Sequence, residues 1–210
     1  AGVTPPSSGY TFAAFLADLR KVKASGAVPL CLGGKDRFTT VELLENTLLS
    51  SIGTSGWNDM VRDHLDFRGG GVRTALTRFG AMLGYTDPQA NQLTWDQATK
   101  KLASGGCAFE SMNDSAFGEL VADGAQQGVD FGATAFPGTD DSFLAVVDVF
   151  VAATKAKNAK NTNAIAAANE LHSKVLTISS PSRVQPASAS RAAEISASAR
   201  GGITLHSTRA

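Results

Sequence analysis

The sequence lacks several features that would assign it to a class at once. Its 19 basic and 19 acidic residues cancel, so it has no basic excess and nucleic acid is not expected as a partner. Two cysteines among 210 residues are too few for a disulfide framework. No apolar run approaches the roughly 18 residues of a transmembrane helix. With 43% hydrophobic residues, the composition is that of an ordinary globular protein.

Motifs for catalysis, nucleotides and metals are also missing. The histidines His64, His172 and His206 are far apart and no Cys/His cluster accompanies them, so no metal site is expected. The segment GGKD resembles part of a phosphate loop, but Pro29 stands where that loop has its first glycine, and an aspartate follows the lysine. Ser55 in GTSGW lacks nucleophile-elbow spacing. Nothing here indicates a cofactor.

Aromatic residues and charge are unevenly distributed. Every aromatic residue lies between Tyr10 and Phe150. Residues 1–170 carry a net charge of −4, and residues 171–210 a net charge of +4. The segment 177–210 is rich in Ser, Ala and Arg and has no aromatic residue. We therefore expect an atypical tail that buries little apolar surface.

Apolar spacing predicts a series of helices. Thr11 is placed to cap a helix that ends at Gly26, and Thr39 with Glu42 has capping-box spacing for a helix that Gly53 ends. Further helices are predicted over 57–65, 72–83, 95–104 (with a second capping box, Thr94 and Gln97), 117–123 and 159–176.

Short apolar segments between these helices predict strands: VPLCL (28–32), CAFESM (107–112) and VDFGATAFPG (129–138). Alternating strands and helices indicate an α/β fold, with a sheet covered by helices. Cys31 and Cys107 lie in two of the strands. We favour two small buried thiols, with a disulfide between neighbouring strands as the alternative.

Three aspartates stand at strand ends or inside an apolar run. Asp148 interrupts FLAVVDVFV, Asp36 follows VPLCL with Phe38 two residues on, and Asp114 follows CAFESM. Ligand crevices form at the carboxyl ends of strands in open α/β sheets. Carboxylates that bind hydroxyls, beside an aromatic face, are typical of a sugar site. Each aspartate has a structural alternative: a partner at a helix N-terminus for Asp148, an Asx turn for Asp36 and an N-cap for Asp114.

Three segments, in order, resemble the extracellular solute-binding proteins of ABC sugar importers. The segment TFAAFLADLRKVKASGAVPLCLGGKDRFTTVELLENTLLS follows the family's helix, strand, LGGKDGW-like loop and helix. LTWDQATKKLASGGCAFESMND resembles "WDQA…L..GKAAM…GDW", and FGATAFPGTDDSFLAVVDVF resembles "FPGT…FLVVADSF". By position, Asp36 and Phe38 fall on the GKDGW-like loop, Asp114 on the GDW-like motif and Asp148 on the VADSF-like motif.

The resemblance implies a two-lobed, type II periplasmic-binding-protein-like α/β fold, with mostly one lobe and part of the second present here. Residues 1–137 would form a ligand-binding lobe, 138–176 the hinge return and elements of the partner lobe, and 177–210 the tail. It implies a monomer, without catalytic residues, that binds a sugar and delivers it to a membrane permease. The location would be periplasmic or extracellular, with or without a lipid anchor, although the chain shows no signal peptide.

Two departures from the family pattern bear on the ligand. Ser115 replaces the aromatic residue after the aspartate of GDW, which removes a stacking ring. Arg37 and Phe38 replace the GW dipeptide. The family's opening lobe has no counterpart in this sequence, so we expect the chain alone to bind sugars weakly or not at all. Two alternatives stay open: an α/β hydrolase or transferase with an unrecognised site, and a binding fold that has lost its ligand.

Overall fold

Helices and strands alternate along the part of the chain that the computed structural model describes, which comprises residues 8–142, residues 3, 6 and 144, and the strand 203–207. In chain order the elements are α1 (Phe12–Ala24), β1 (Leu30–Cys31), α2 (Phe38–Val61), α3 (Gly70–Leu83), α4 (Trp95–Ala103), β2 (Phe109–Met112), α5 (Asp114–Ala122), β3 (Phe131–Ala135) and β4 (Ile203–Ser207). None of the described helices is long and apolar enough to cross a bilayer.

The four strands form one mixed sheet in the order β1-β2-β4-β3. Strands β1 and β2 are parallel, with Leu30 opposite Phe109 and Cys31 opposite Glu110. Strand β4 is antiparallel to both β2 and β3. The α/β architecture predicted from the sequence is therefore confirmed, although the strands are shorter than the apolar segments that predicted them.

Two apolar clusters form the core of the described region. The first surrounds Phe15, which is fully buried and meets the Phe109 ring edge-on at 5.4 Å between centroids. The second combines residues of α4, α5 and the strands, including Leu102, Met112 and Phe131. Successive strand residues point to opposite faces of a sheet. Phe109 and Met112 accordingly belong to different clusters, and helices cover the sheet on both faces.

Most predicted helix ends are confirmed. The Thr11 hydroxyl accepts a hydrogen bond from the amide of Ala14, and the Thr94–Gln97 capping box forms at α4. The box predicted for Thr39 and Glu42 was wrong. The helix begins one residue before Thr39, whose hydroxyl donates instead to the carbonyl of Gly33, 2.8 Å away.

The preference for two unpaired thiols was also wrong, because Cys31 and Cys107 form a disulfide. Their Cα atoms lie 5.8 Å apart, and both residues are at most 3% exposed. Pairing of β1 with β2 brings Cys31 beside the residues that lead into β2. The two cysteines are 76 positions apart, so only the strand pairing decides whether they meet.

The segment predicted as a tail contributes the strand β4. A strand is held by its backbone groups, so the absence of aromatic residues does not exclude one. Residues 1–144 and 197–210 form one compact unit, and residues 145–196 form a second. The second unit lies outside the described residues, as do the run FLAVVDVFVAA (143–153), except Leu144, and the helix predicted over 159–176. The predicted boundaries at 137 and 176 stay predictions.

Candidate ligand-binding site

The carboxyl ends of β1 and β2 lie at the same edge of the sheet because the two strands are parallel and paired. Beyond β1 the chain makes a 3-10 turn, Gly34–Asp36, and enters α2; beyond β2 it enters α5 directly. Asp36, Phe38 and Asp114 therefore lie on the segments that leave this edge, as the sequence predicted. Asp148 lies outside the described residues.

Asp36 ties the turn after β1 to helix α4. Its Oδ2 atom accepts a hydrogen bond of 2.6 Å from the amide of Trp95, the first residue of α4. That amide has no partner within its own helix, and a carboxylate at a helix N-terminus is favoured by the helix dipole. Gly33 permits the approach, since a Cβ atom at that position would lie 2.5 Å from the Cα of Trp95. The bond is thus long-range rather than an Asx turn.

Phe38 and Glu42 form the face of α2 at this edge. Phe38 begins the helix and is 41% exposed, and Glu42 follows four positions later, on the same side of the helix. The Oε1 atom of Glu42 accepts a 2.8 Å hydrogen bond from the side-chain amide of Asn113, which joins α2 to the start of α5. The second oxygen, Oε2, is buried and has no hydrogen-bond partner among the described residues.

Acidic groups act on Glu42 at this edge. Burial raises the pKa of Glu42, Asn113 counteracts the rise, and the negative charges of Glu45 and Asp114 add to it. Burial also raises the pKa of Glu45. A carboxyl group with a raised pKa and an unused oxygen accepts hydrogen bonds well, since each one compensates part of its desolvation.

Asn113, not Asp114, caps α5. Its Oδ1 atom accepts from the amide of Ser115 at 3.0 Å, while its amide group donates to Glu42. The structural alternative considered for Asp114 is therefore wrong. Asp114 lies exposed in the first turn of the helix, next to Ser115, which is also exposed.

Two residues of this edge, Glu42 and Asn113, were missed as site residues from the sequence. The spacing of four between Phe38 and Glu42 was a usable signal, because it places a ring and a carboxylate on one helix face. The sequence held no comparable signal for Asn113, since its role depends on a contact with a residue 71 positions away. Among the side chains that the structure describes, no three His, Cys, Asp or Glu groups are arranged to hold a metal.

A cavity of about 310 Å³ lies elsewhere, at the carboxyl ends of α4 and α5. Its lining includes Lys100, Ser104, Asp123 and Phe131. Lys100 is already paired with Glu119 at 3.1 Å. The cavity is thus at the opposite end of α5 from Asp114 and contains none of the residues predicted for the site.

Residues 1–173 match the model of the family described as bacterial extracellular solute-binding protein, so the chain belongs to this family. A probable sugar-binding periplasmic protein of Mesorhizobium japonicum is 31% identical over 144 residues, which cover 67% of this chain and 34% of that protein. An uncharacterised ABC transporter extracellular-binding protein of Pyrococcus horikoshii is 27% identical over 151 residues, covering 72% of this chain and 34% of that protein.

The chain spans about a third of the length of the curated relatives it matches. One similar solved structure comes from a study of xylan utilisation by the thermophilic bacterium Caldanaerobius polysaccharolyticus. It has 21% sequence identity and a TM-score of 0.53, and the match covers 57% of this chain and 31% of that chain. This similarity concerns the fold alone.

Proposed function

We propose that this chain binds a sugar at the carboxyl edge of β1 and β2 and serves as part of the substrate-binding component of an ABC importer. The observation that carries the proposal is the pair Glu42–Asn113, which leaves one Glu42 oxygen buried and without a hydrogen-bond partner among the described residues, one helical turn from the exposed Phe38. Membership of the solute-binding family and the names of the relatives support the same reading.

Each group at the edge has a chemical task in this proposal. The ring of Phe38 covers the apolar C–H face of a sugar, while Glu42 and Asp114 accept hydrogen bonds from its hydroxyls. Asn113 keeps Glu42 oriented. Asp36 has one oxygen bound to α4 and offers the other. We also propose Asp148 as a sugar-binding residue, on the strength of its position in the VADSF-like motif alone. The protein is a monomeric binder without catalytic residues, and its partner is a membrane permease.

The proposed location is the periplasm or the cell exterior, with or without a lipid anchor. The family is one of extracellular proteins. The buried disulfide between Cys31 and Cys107 supports this location, because disulfides persist in oxidising compartments.

The site is tested by titrating the isotope-labelled chain with mono- and oligosaccharides and following amide resonances. We expect weak, saturable shifts at Phe38, Glu42, Asn113 and Asp114, with the sugar recovered chemically unchanged. Shifts confined to other parts of the chain would place the site elsewhere. Conversion of the sugar to a product would favour the enzyme alternative.

Substitutions at the edge test the individual roles. Glu42→Gln keeps an oxygen for Asn113 but replaces the unused acceptor with a donor, so we expect a loss of about 1–3 kcal/mol in binding. Asp114→Asn and Asp148→Ala should each reduce the binding free energy by a similar amount. The control is Glu119→Gln, which makes the same chemical change at the far side of α5 and should leave binding unchanged. Equal affinities for the Glu42 and Glu119 variants would count against the site.

A further inference from the structure

Strand β4 occupies the centre of the sheet although it comes from the end of the chain. It pairs with β2 through four residues, from Phe109 opposite His206 to Met112 opposite Ile203. It pairs with β3 through five, from Phe131 opposite Ser207 to Ala135 opposite Ile203. Both of its backbone edges are therefore in use.

Without β4 the described sheet would fall into two parts. Strand β3 is joined to the other strands only through β4, and β2 would keep β1 as its single neighbour. Strand β2 is buried along its whole length, so removal of β4 would leave buried N–H and C=O groups of β2 without partners. Unpaired buried backbone groups are costly, and an open strand edge readily pairs with another extended segment.

More than sixty positions separate Ala135, the end of β3, from Ile203. A segment that arrives over such a distance and pairs on both edges is held like a separate peptide that adds a strand to a sheet. Its sequence suits the task, since Ile203 and Thr204 are β-branched and the segment contains no proline.

We propose that the gap between β2 and β3 is an acceptor site for one extended strand, antiparallel to both neighbours, and that it binds the 203–207 sequence also when this is supplied as a separate peptide. The partner is thus an extended segment with the sequence ITLHS, recognised mainly through its backbone. The proposal does not depend on sugar binding.

The test uses the full chain with Thr204→Pro, and Thr204→Val as the matched control. Proline has no backbone N–H, so in a central strand it removes a hydrogen bond to a neighbouring strand. Valine keeps the backbone N–H and the β-branched shape of threonine. In the proline variant we expect hydrogen–deuterium exchange at the backbone amides of Phe109–Met112 and Phe131–Ala135 to be about tenfold faster than in the wild type. The valine variant should exchange like the wild type.

A synthetic peptide covering residues 202–209 then completes the experiment. Added to the Thr204→Pro chain, it should restore slow exchange in β2 and β3, and the same peptide with proline at 204 should not. If the proline variant does not fold alone, it should fold when refolded with the wild-type peptide. Unchanged exchange in the Thr204→Pro chain would overturn the proposal, as would failure of the wild-type peptide to restore exchange or folding.

Discussion

Two glutamates illustrate how burial changes a carboxyl group in this protein. Glu42 lies half-buried at the edge of the sheet, where Asn113 binds one of its oxygens. Glu110 lies within β2, is 2% exposed, and receives a hydrogen bond from the hydroxyl of Thr99. Its Oε2 atom has no partner in the described part of the chain. Burial raises the pKa of Glu110 to about 8, although Thr99 counteracts the rise, so the group is neutral at pH 7.

Glu110 should make the stability of the fold depend on pH. The ordinary pKa of 4.5 applies to the unfolded chain and a value of about 8 to the folded one, so the folded state holds the extra proton between these pH values. Stability therefore falls as the pH rises from about 4.5 to 8, by roughly 3–5 kcal/mol in total. Glu110→Gln stays neutral throughout. In urea unfolding, its free energy of unfolding should equal that of the wild type at pH 4 and be larger than that of the wild type at pH 9.

The control for this prediction is Glu119→Gln, which removes a carboxylate that is partly exposed and paired with Lys100. We expect this variant to keep the pH dependence of the wild type. If Glu110→Gln showed the same decline in stability between pH 4 and pH 9 as the wild type, Glu110 would not be the group responsible.

At the scale of elements, helix α2 shows how one residue divides a long apolar segment. Gly53 has φ 66° and ψ −179°, a conformation accessible essentially only to glycine, and it separates two helical stretches. The sequence predicted a helix end at this position, and the break is confirmed. The chain continues as a helix to Val61 beyond this kink, and α2 packs against α3.

Gly53→Ala should destabilise the protein by about 1–3 kcal/mol, because alanine is strained in this backbone conformation. No atom lies within 4 Å of the position of the added methyl group, so contacts do not contribute to the loss. Gly80→Ala is the matched control within α3, where the space is equally open and φ is ordinary. It should stabilise by about 0.5–1 kcal/mol. Thermal unfolding of both variants measures the contrast, and equal effects would contradict the assignment of strain to Gly53.

At the scale of the whole molecule, the disulfide and the sheet connect segments that are distant in sequence. The bond between Cys31 and Cys107 encloses a separation of 76 residues that contains α2, α3 and α4. It joins β1, which precedes the Asp36 turn, to the segment that leads into β2. The disulfide therefore links the two strands from which the candidate site extends.

Removal of this disulfide should lower the free energy of unfolding by about 4 kcal/mol, because a cross-link over such a loop strongly restricts the unfolded chain. The variant with both Cys31→Ser and Cys107→Ser should unfold at lower urea concentration than the oxidised wild type. A reductant should lower the urea midpoint of the wild type and leave that of the variant unchanged. Titration of the denatured, unreduced protein should detect no free thiol. Two titratable thiols would show that the bond is absent.

The sequence by itself determined the local elements and the class of fold. Thr11, Thr94 and Gly53 set helix ends through bonds or backbone angles that involve only neighbouring residues. The order of segments indicated the solute-binding family before any contact was known. Asp36, Phe38 and Asp114 could be assigned to one sheet edge because parallel strands end at the same side, a rule that needs no side-chain coordinates.

Tertiary structure alone decided what those residues touch. Cys31 meets Cys107, Glu42 meets Asn113, and the strand Ile203–Ser207 enters the sheet between β2 and β3. Each of these contacts joins segments more than sixty positions apart along the chain. Hydrophobic spacing and capping motifs report on neighbours within a few residues, whereas such distances are set by how the whole sheet pairs. The unused oxygen of Glu42, on which the proposed sugar site depends, belongs to this second kind of information.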